Sequence, residues 1–220
     1  MNKPFSKDLF DKMPLIGIMR NIPGEHIGAI AKKYAESGLT CLEITMNSPD
    51  AEKHITALAN SYSGILNIGA GTVCSVADLE KAIAAGAQFI VTPIINEEVI
   101  KICVNRGIPI IPGAYTPSEI YKAWSLGAVM VKLFPAGDIK PGYIKEVLAP
   151  LNFIGILPTG GIGLENFTAF LASGAKGVGI GSQLFPKDII SRQDWSALAA
   201  IYAQFVRKYN DFRETTPGRA

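Results

Sequence analysis

The chain has 220 residues and a mass of 23.5 kDa, enough for one domain with a sizeable core. Its 21 Lys and Arg against 19 Asp and Glu leave a formal charge of +2, which gives no reason to expect a nucleic-acid or anionic-membrane partner. Charged residues make up 18% of the chain, below the roughly 25% usual for globular domains.

The cysteines and the uncharged stretches exclude further classes. Three cysteines lie 33 and 29 residues apart without a C-x-x-C pair, which excludes a zinc cluster and a disulfide scaffold and fits a reducing cytoplasm. Two uncharged stretches, 60–77 and 147–164, are interrupted by Gly, Asn, Ser or Pro, and no signal-peptide pattern opens the chain. We therefore expect a cytoplasmic protein that binds no metal, nucleic acid or membrane.

Short apolar runs alternate regularly with helical segments. Pairs such as Ser37-Gly38 and Ala85-Gly86 precede several of the runs, as is typical where a helix ends and a buried strand begins. Helices are predicted, for example, over 75–85, 97–106 and 163–173, and Ser48-Pro49 and Thr116-Pro117 have the composition of helix starts. The predicted strands are 14–20, 41–46, 65–73, 89–94, 108–115, 129–135, 153–161 and 177–185.

The strand starts are 19 to 27 residues apart, which leaves room for one helix in each interval. Eight such units predict a single-domain α/β fold, a (β/α)8 or TIM barrel, with a doubly wound open sheet as the alternative. The barrel core is predicted over about 14–208, and the polar segment 209–220 is predicted to fray.

Charge is nearly absent from the eight predicted strands. Their 61 residues include three charges, Arg20, Glu43 and Lys132, where the chain average would place about eleven. All three lie at or toward the carboxyl half of a strand, where such barrels hold their active sites. A structural ion pair inside the barrel is the alternative explanation.

Lys132 has apolar neighbours on both sides in the predicted strand 129–135. Burial would lower its pKa and leave a free amine able to attack a carbonyl, although a lysine in this setting could instead bind a carboxylate. Glu43 lies in the predicted strand 41–46, where its carboxyl group could transfer protons or could simply pair with Arg20 or Lys132.

The last two predicted strands end in glycine-rich turns, 158–163 and 177–182. Exposed backbone N–H groups in such turns, with the Ser182 hydroxyl as an extra donor, are typical of a phosphate site after strands seven and eight of a barrel. Thr72 follows Gly69-Ala70-Gly71, which lacks the spacing of a dinucleotide fingerprint, and is interpreted as a hydroxyl donor at the strand end.

Together these motifs resemble the 2-keto-3-deoxy-6-phosphogluconate (KDPG) aldolases and their 4-hydroxy-2-oxoglutarate aldolase relatives, from about residue 14 to residue 185. The resemblance rests on seven segments in order: 42–45 (LEIT), 69–73 (GAGTV), 90–93 (IVTP), 111–113 (IPG), 132–135 (KLFP), 158–161 (PTGG) and 181–182 (GS).

The resemblance implies a class I aldolase that cleaves the phosphorylated keto acid to pyruvate and glyceraldehyde 3-phosphate without a cofactor, and it implies a homotrimer. Lys132 matches the Schiff-base lysine of the family and Glu43 its general acid/base. The other matches are substrate-binding positions, for the pyruvyl carboxylate (Thr72, Thr159), the phosphate (Gly160, Gly161, Gly181, Ser182), the pocket walls (Pro93, Phe134) and a substrate arginine (Arg20).

One departure from the family pattern concerns the substrate. Asn47 stands where some members have an arginine that contacts the pyruvyl carboxylate, and Asn47-Ser48-Pro49 also resembles the 2-keto-3-deoxy-6-phosphogalactonate aldolases. The galactonate-derived epimer and 4-hydroxy-2-oxoglutarate are therefore alternative substrates. A sugar-phosphate isomerase or epimerase, or a non-catalytic sugar-phosphate binding barrel, would be compatible with the same residues.

Overall fold

Parallel strands alternate with helices along residues 3–216, which are the residues described in the computed structural model. The strands are β1 (Leu15–Met19), β2 (Cys41–Thr45), β3 (Asn67–Gly71), β4 (Ile90–Val91), β5 (Ile110–Ile111), β6 (Gly113–Ala114), β7 (Val131–Leu133), β8 (Ile156–Pro158) and β9 (Val178–Ile180). The helices are α1 (Lys7–Lys12), α2 (Gly24–Ser37), α3 (Ala51–Ser61), α4 (Val76–Ala84), α5 (Glu97–Asn105), α6 (Pro117–Ser125), α7 (Gly142–Leu148), α8 (Phe167–Ala172), α9 (Lys187–Ser191) and α10 (Trp195–Thr215).

The strands pair in parallel around a barrel. One sheet has the order β5-β4-β3-β2-β1-β9 and the other the order β6-β7-β8. A bridge between Thr159 and Gly179 joins the end of β8 to β9, while β5 and β6 are separated by Pro112 alone. This arrangement confirms the predicted (β/α)8 fold class.

The observed elements differ from the predicted ones in three places. The predicted fifth strand, 108–115, is two short strands because Pro112 lacks the N–H that a continuous ladder requires. Ser48-Pro49 does not cap α3, which follows Asp50 in a left-handed conformation. The predicted frayed tail is helical as far as Thr215, with Tyr209 buried against the core, and residues 217–220 lie outside the described range.

Local capping accounts for several helix starts. The Ser75 hydroxyl accepts a hydrogen bond from the Asp78 N–H at the start of α4. At the start of α6, Thr116 and Glu119 form a capping box, and Pro117 occupies the first helical turn. Within residues 3–216, none of these helices has both the length and the apolar character needed to cross a membrane.

The amino end of the barrel is closed by the segment that precedes β1. Phe10 of α1 belongs to an apolar cluster of residues from several strands, and Phe5 packs against the same cluster. Ser6 and Asn67 exchange two hydrogen bonds of 2.8 Å, and the Gln88 side-chain amide donates to the Lys3 carbonyl at 2.7 Å. The interior is therefore open toward the carboxyl ends of the strands.

Candidate active site

Lys132 is the central residue of β7 and lies in register between β6 and β8. Its side chain is only 2% exposed, and its Nζ lies 4.8 Å from the centroid of the Phe134 ring. Because burial penalises the ammonium form, the pKa of Lys132 is lower than that of an ordinary lysine. Burial therefore favours the neutral, nucleophilic amine.

Glu43 is the central residue of β2 and is also 2% exposed. Burial raises the pKa of its carboxyl group, while the positive charges of Lys132 and Arg20 partly oppose that shift. Its Oε1 atom is buried and has no hydrogen-bond partner in the described part of the chain. A Cβ atom at Gly71 of the neighbouring strand would overlap this oxygen, so glycine leaves the space that the carboxyl group occupies.

Arg20 lies directly after β1 and is exposed, so the third predicted charge stands just outside its strand. Its Nη2 donates to the Thr72 hydroxyl at 3.5 Å. Thr72 has a φ of 57°, a left-handed conformation that is rare for β-branched residues and that is most often retained at functional sites. The charge of Arg20 lowers the pKa of Lys132 further, whereas Glu43 raises it.

The glycine-rich turn after β8 has left-handed residues, with a φ of 89° at Gly160 and 71° at Gly161. Asn166 stabilises the turn from both sides, since it accepts from the Gly163 N–H and donates to the Gly161 carbonyl, both at 2.9 Å. The turn therefore holds backbone polar groups at the carboxyl end of the barrel, beside the turn that contains Ser182.

A cavity of about 560 Å³ opens at this end of the barrel. Seven of the predicted site residues line it: Arg20, Lys132, Phe134, Thr159, Gly160, Gly181 and Ser182. The other four, Glu43, Thr72, Pro93 and Gly161, lie outside this lining. The Pro93 backbone packs against Gly113 instead, and Gly161 packs against the backbone of Gly137.

The sequence interpretation missed several lining residues. They are Ile18, Asn21, Ile22, Pro23, Phe185, Lys187, Ile190 and Ser191. Asn21 to Pro23 directly follow Arg20, so their loop position was a usable signal. Lys187 and Ser191 belong to α9, and nothing in their local sequence distinguishes them from surface residues.

The cysteines are free thiols in the described structure. Cys41 and Cys103 are buried, and burial raises the pKa of each thiol to about 11, which disfavours the reactive thiolate. Among residues 3–216, no group of three or more His, Cys, Asp or Glu side chains is arranged to hold a metal ion.

Solved structures with the same fold match most of the chain. The chain matches a KDPG aldolase from Legionella pneumophila, in which pyruvate was captured as a covalent carbinolamine intermediate, with a TM-score of 0.80 and 29% identity over 89% of this chain and 95% of that one. It also matches a porous protein cage designed by fusing symmetric oligomeric domains, with a TM-score of 0.86 and 34% identity over 93% of this chain and 74% of that one.

Sequence comparisons agree with the structural ones. The chain is 36% identical over 205 residues to the 2-dehydro-3-deoxy-6-phosphogalactonate aldolase of Escherichia coli (strain K12), which covers 91% of this chain and 96% of the relative. A family model described as KDPG and KHG aldolase matches residues 7–201. The chain therefore belongs to the KDPG and KHG aldolase family, and it is an aldolase.

Proposed function

We propose that this protein is a metal-independent class I aldolase in which Lys132 forms the Schiff base and Glu43 transfers protons. The observation that supports this assignment is a buried amine that lines the cavity together with a buried carboxyl group whose Oε1 has no hydrogen-bond partner among the described residues. Membership of an aldolase family favours this reaction over sugar-phosphate isomerisation or non-catalytic binding.

The proposed mechanism starts from a neutral amine on Lys132 and a protonated carboxyl group on Glu43. The Lys132 amine attacks the C2 ketone to give a carbinolamine, and Glu43 protonates the departing hydroxyl so that water leaves and an iminium forms. Glu43 then accepts the proton of the C4 hydroxyl as the C3–C4 bond breaks, and the bonding electrons pass to the iminium to give an enamine and a free aldehyde. Protonation of C3 and addition of water release pyruvate and regenerate the amine.

The remaining site residues fit the two ends of a phosphorylated keto acid. Arg20, Thr72 and Thr159 are the proposed carboxylate contacts. The backbone at Gly160, Gly161 and Gly181, with the Ser182 hydroxyl, is the proposed phosphate site, and Pro93 and Phe134 are the proposed walls. We expect the enzyme to act in the cytoplasm.

The proposed substrate is 2-keto-3-deoxy-6-phosphogluconate, with the galactonate-derived epimer and 4-hydroxy-2-oxoglutarate as alternatives. Asn47 is exposed and cannot replace an arginine at the carboxylate, and an Escherichia coli relative is named for the galactonate compound. Measuring kcat/KM for all three compounds by pyruvate formation decides between them. A higher value for the galactonate epimer would contradict the proposed preference.

The Schiff base can be tested by reduction with borohydride in the presence of pyruvate. We expect a reduced pyruvyl adduct on Lys132, found by peptide mass spectrometry, and its loss in Lys132→Met. Lys187 lines the same cavity but is exposed, so it serves as an internal control that should stay unmodified. Absence of the Lys132 adduct in folded protein would refute the mechanism, and activity lost to a chelator and restored by a divalent metal would refute metal independence.

We further propose a homotrimer as the active assembly. Large apolar side chains are exposed on the single chain, among them Tyr121 and Phe153 on either side of Trp124, and the similar cage was built from symmetric oligomeric domains. Light scattering should give a mass three times 23.5 kDa. A monomeric mass at micromolar concentration would contradict this proposal.

A further inference from the structure

A chain of hydroxyl contacts connects the loops that follow β1 and β2. The Thr45 hydroxyl at the end of β2 is buried and lies 2.8 Å from the Ser48 hydroxyl. The Ser48 oxygen also accepts a hydrogen bond of 2.9 Å from the backbone N–H of Asn21. The loop after β1 is thereby attached to a buried point on β2.

The attached residue has an unusual backbone conformation. Asn21 has a φ of 52°, in the left-handed region, which asparagine tolerates better than most residues. It directly follows Arg20 and begins the run 21–23 that lines the cavity. The conformation of Asn21 therefore sets the direction in which the chain leaves Arg20.

The side-chain hydrogen bond of Arg20 is weak. Its hydrogen bond to the Thr72 hydroxyl is 3.5 Å long, at the outer limit for such a bond, so this contact alone does not fix the guanidinium. The Ser48 hydroxyl is also not needed for its own turn, because the turn after β2 is closed by the Ser48 N–H bond to the Thr45 carbonyl at 2.9 Å. Ser48→Ala would keep that backbone bond and lose the hydrogen bond between the Ser48 hydroxyl and the Asn21 N–H, which we call the tether.

We propose that Ser48 is a positioning residue of the aldolase, which acts through the Asn21 backbone to hold Arg20 toward the substrate carboxylate. This inference rests on the proposed function, because the site must bind a keto acid for Arg20 to have that role. It assigns a function to a side-chain hydroxyl in the Asn47-Ser48-Pro49 segment.

The kinetic test uses Ser48→Ala, with Ser48→Thr as the variant that keeps the hydroxyl and Ser196→Ala as a control on an exposed face of α10. Loss of one positioning hydrogen bond should raise KM about tenfold and change kcat less than about twofold. The threonine variant and the control should behave as wild type. An unchanged KM in Ser48→Ala, with an active wild type, would overturn this proposal and leave the proposed function standing.

A double-mutant cycle tests whether Ser48 acts through Arg20. In the Arg20→Gln background, Ser48→Ala should raise KM less than about twofold, since the group that it positions is already gone. The same tenfold effect in both backgrounds would show that Ser48 acts by another route and would refute the proposal.

A proteolysis test needs no substrate. Trypsin cleaves after arginine, and the Arg20–Asn21 bond contains the N–H that Ser48 holds; both residues are exposed. Ser48→Ala should accelerate cleavage at this bond several-fold, while Ser48→Thr should not. Equal cleavage rates would refute the tether even if the enzyme is active, whereas failure to trap pyruvate on Lys132 would refute the proposed function even if the tether is real.

Discussion

Lys132 and Glu43 shift each other's protonation in opposite directions, and burial acts against the charge of both. Desolvation lowers the pKa of the amine, while the nearby carboxylate raises it. For the carboxyl group, desolvation raises the pKa, and the two cations lower it. Because the unperturbed lysine pKa is about 10.4, the free amine is populated at a lower pH than in an exposed lysine.

The pH dependence of pyruvate trapping should report these influences separately. In wild type the trapping rate should rise with pH and reach half of its maximum below the ordinary lysine pKa. Glu43→Gln removes the negative charge that stabilises the ammonium, so its midpoint should move to lower pH. Arg20→Gln removes a repelling positive charge, so its midpoint should move to higher pH. Midpoints that shift in the reverse directions would contradict the assigned electrostatics.

Gly71 should matter for catalysis because the absence of a side chain there leaves space for the Glu43 carboxyl group. A methyl group there would overlap the Glu43 carboxyl oxygen and displace it. A shift of about 1 Å in a reacting group can reduce the rate about 100-fold, so we expect Gly71→Ala to lower kcat by that order. Gly28→Ala in α2 is the matched control, since no atom of residues 3–216 lies within 4 Å of its added carbon, and it should leave kcat unchanged. A Gly71→Ala enzyme with wild-type kcat would show that the carboxyl group tolerates displacement.

At the scale of elements, the apolar runs predicted the strand positions better than the strand ends. The predicted strand 41–46 exceeds β2 by one residue, whereas the predicted 153–161 corresponds to the three residues of β8. The difference arises because residues such as Phe153 and Ile154 are apolar but lie in the loop before the strand. Hydrophobicity reports burial, whereas the ladder depends on backbone geometry that Gly and Pro interrupt.

Besides its apolar packing, helix α2 is linked to β1 and β2 by the Tyr34 hydroxyl. The Tyr34 hydroxyl donates to the Cys41 carbonyl at 2.7 Å and accepts from the Gly17 N–H at 3.0 Å, both buried. Tyr34→Phe would leave two buried polar groups without this partner, so the free energy of unfolding should fall by about 1–3 kcal/mol in urea titration. The exposed Tyr115→Phe, outside the Tyr121, Trp124 and Phe153 group proposed for the trimer contact, is the control and should change it by less than about 0.5 kcal/mol. Equal stabilities of the two variants would show that these groups find other partners.

At the scale of the whole molecule, the sequence could predict candidate site residues that lie within single strands, but not those that come together only when the barrel closes. Lys132 and Glu43 could be found because a charge in a buried strand is visible locally. Asn21 and Lys187 are 166 positions apart in the sequence and meet at one cavity because β1 pairs with β9. No local sequence pattern could show that Asn21 and Lys187 line the same cavity.

Because the amino end of the barrel is closed, both products of the proposed reaction should leave through the carboxyl end, and the chemistry should set their order. With Phe10 and its neighbours filling that end, the cavity has its opening at the carboxyl side. In the proposed mechanism the aldehyde fragment leaves first, because the three-carbon fragment is then still covalently attached to the buried Lys132. Pyruvate would then be the last product and would bind the same free enzyme as the substrate. Product-inhibition kinetics should show competitive inhibition by pyruvate and mixed inhibition by the aldehyde; the reverse pattern would mean that the aldehyde leaves last and would contradict a covalent pyruvyl intermediate.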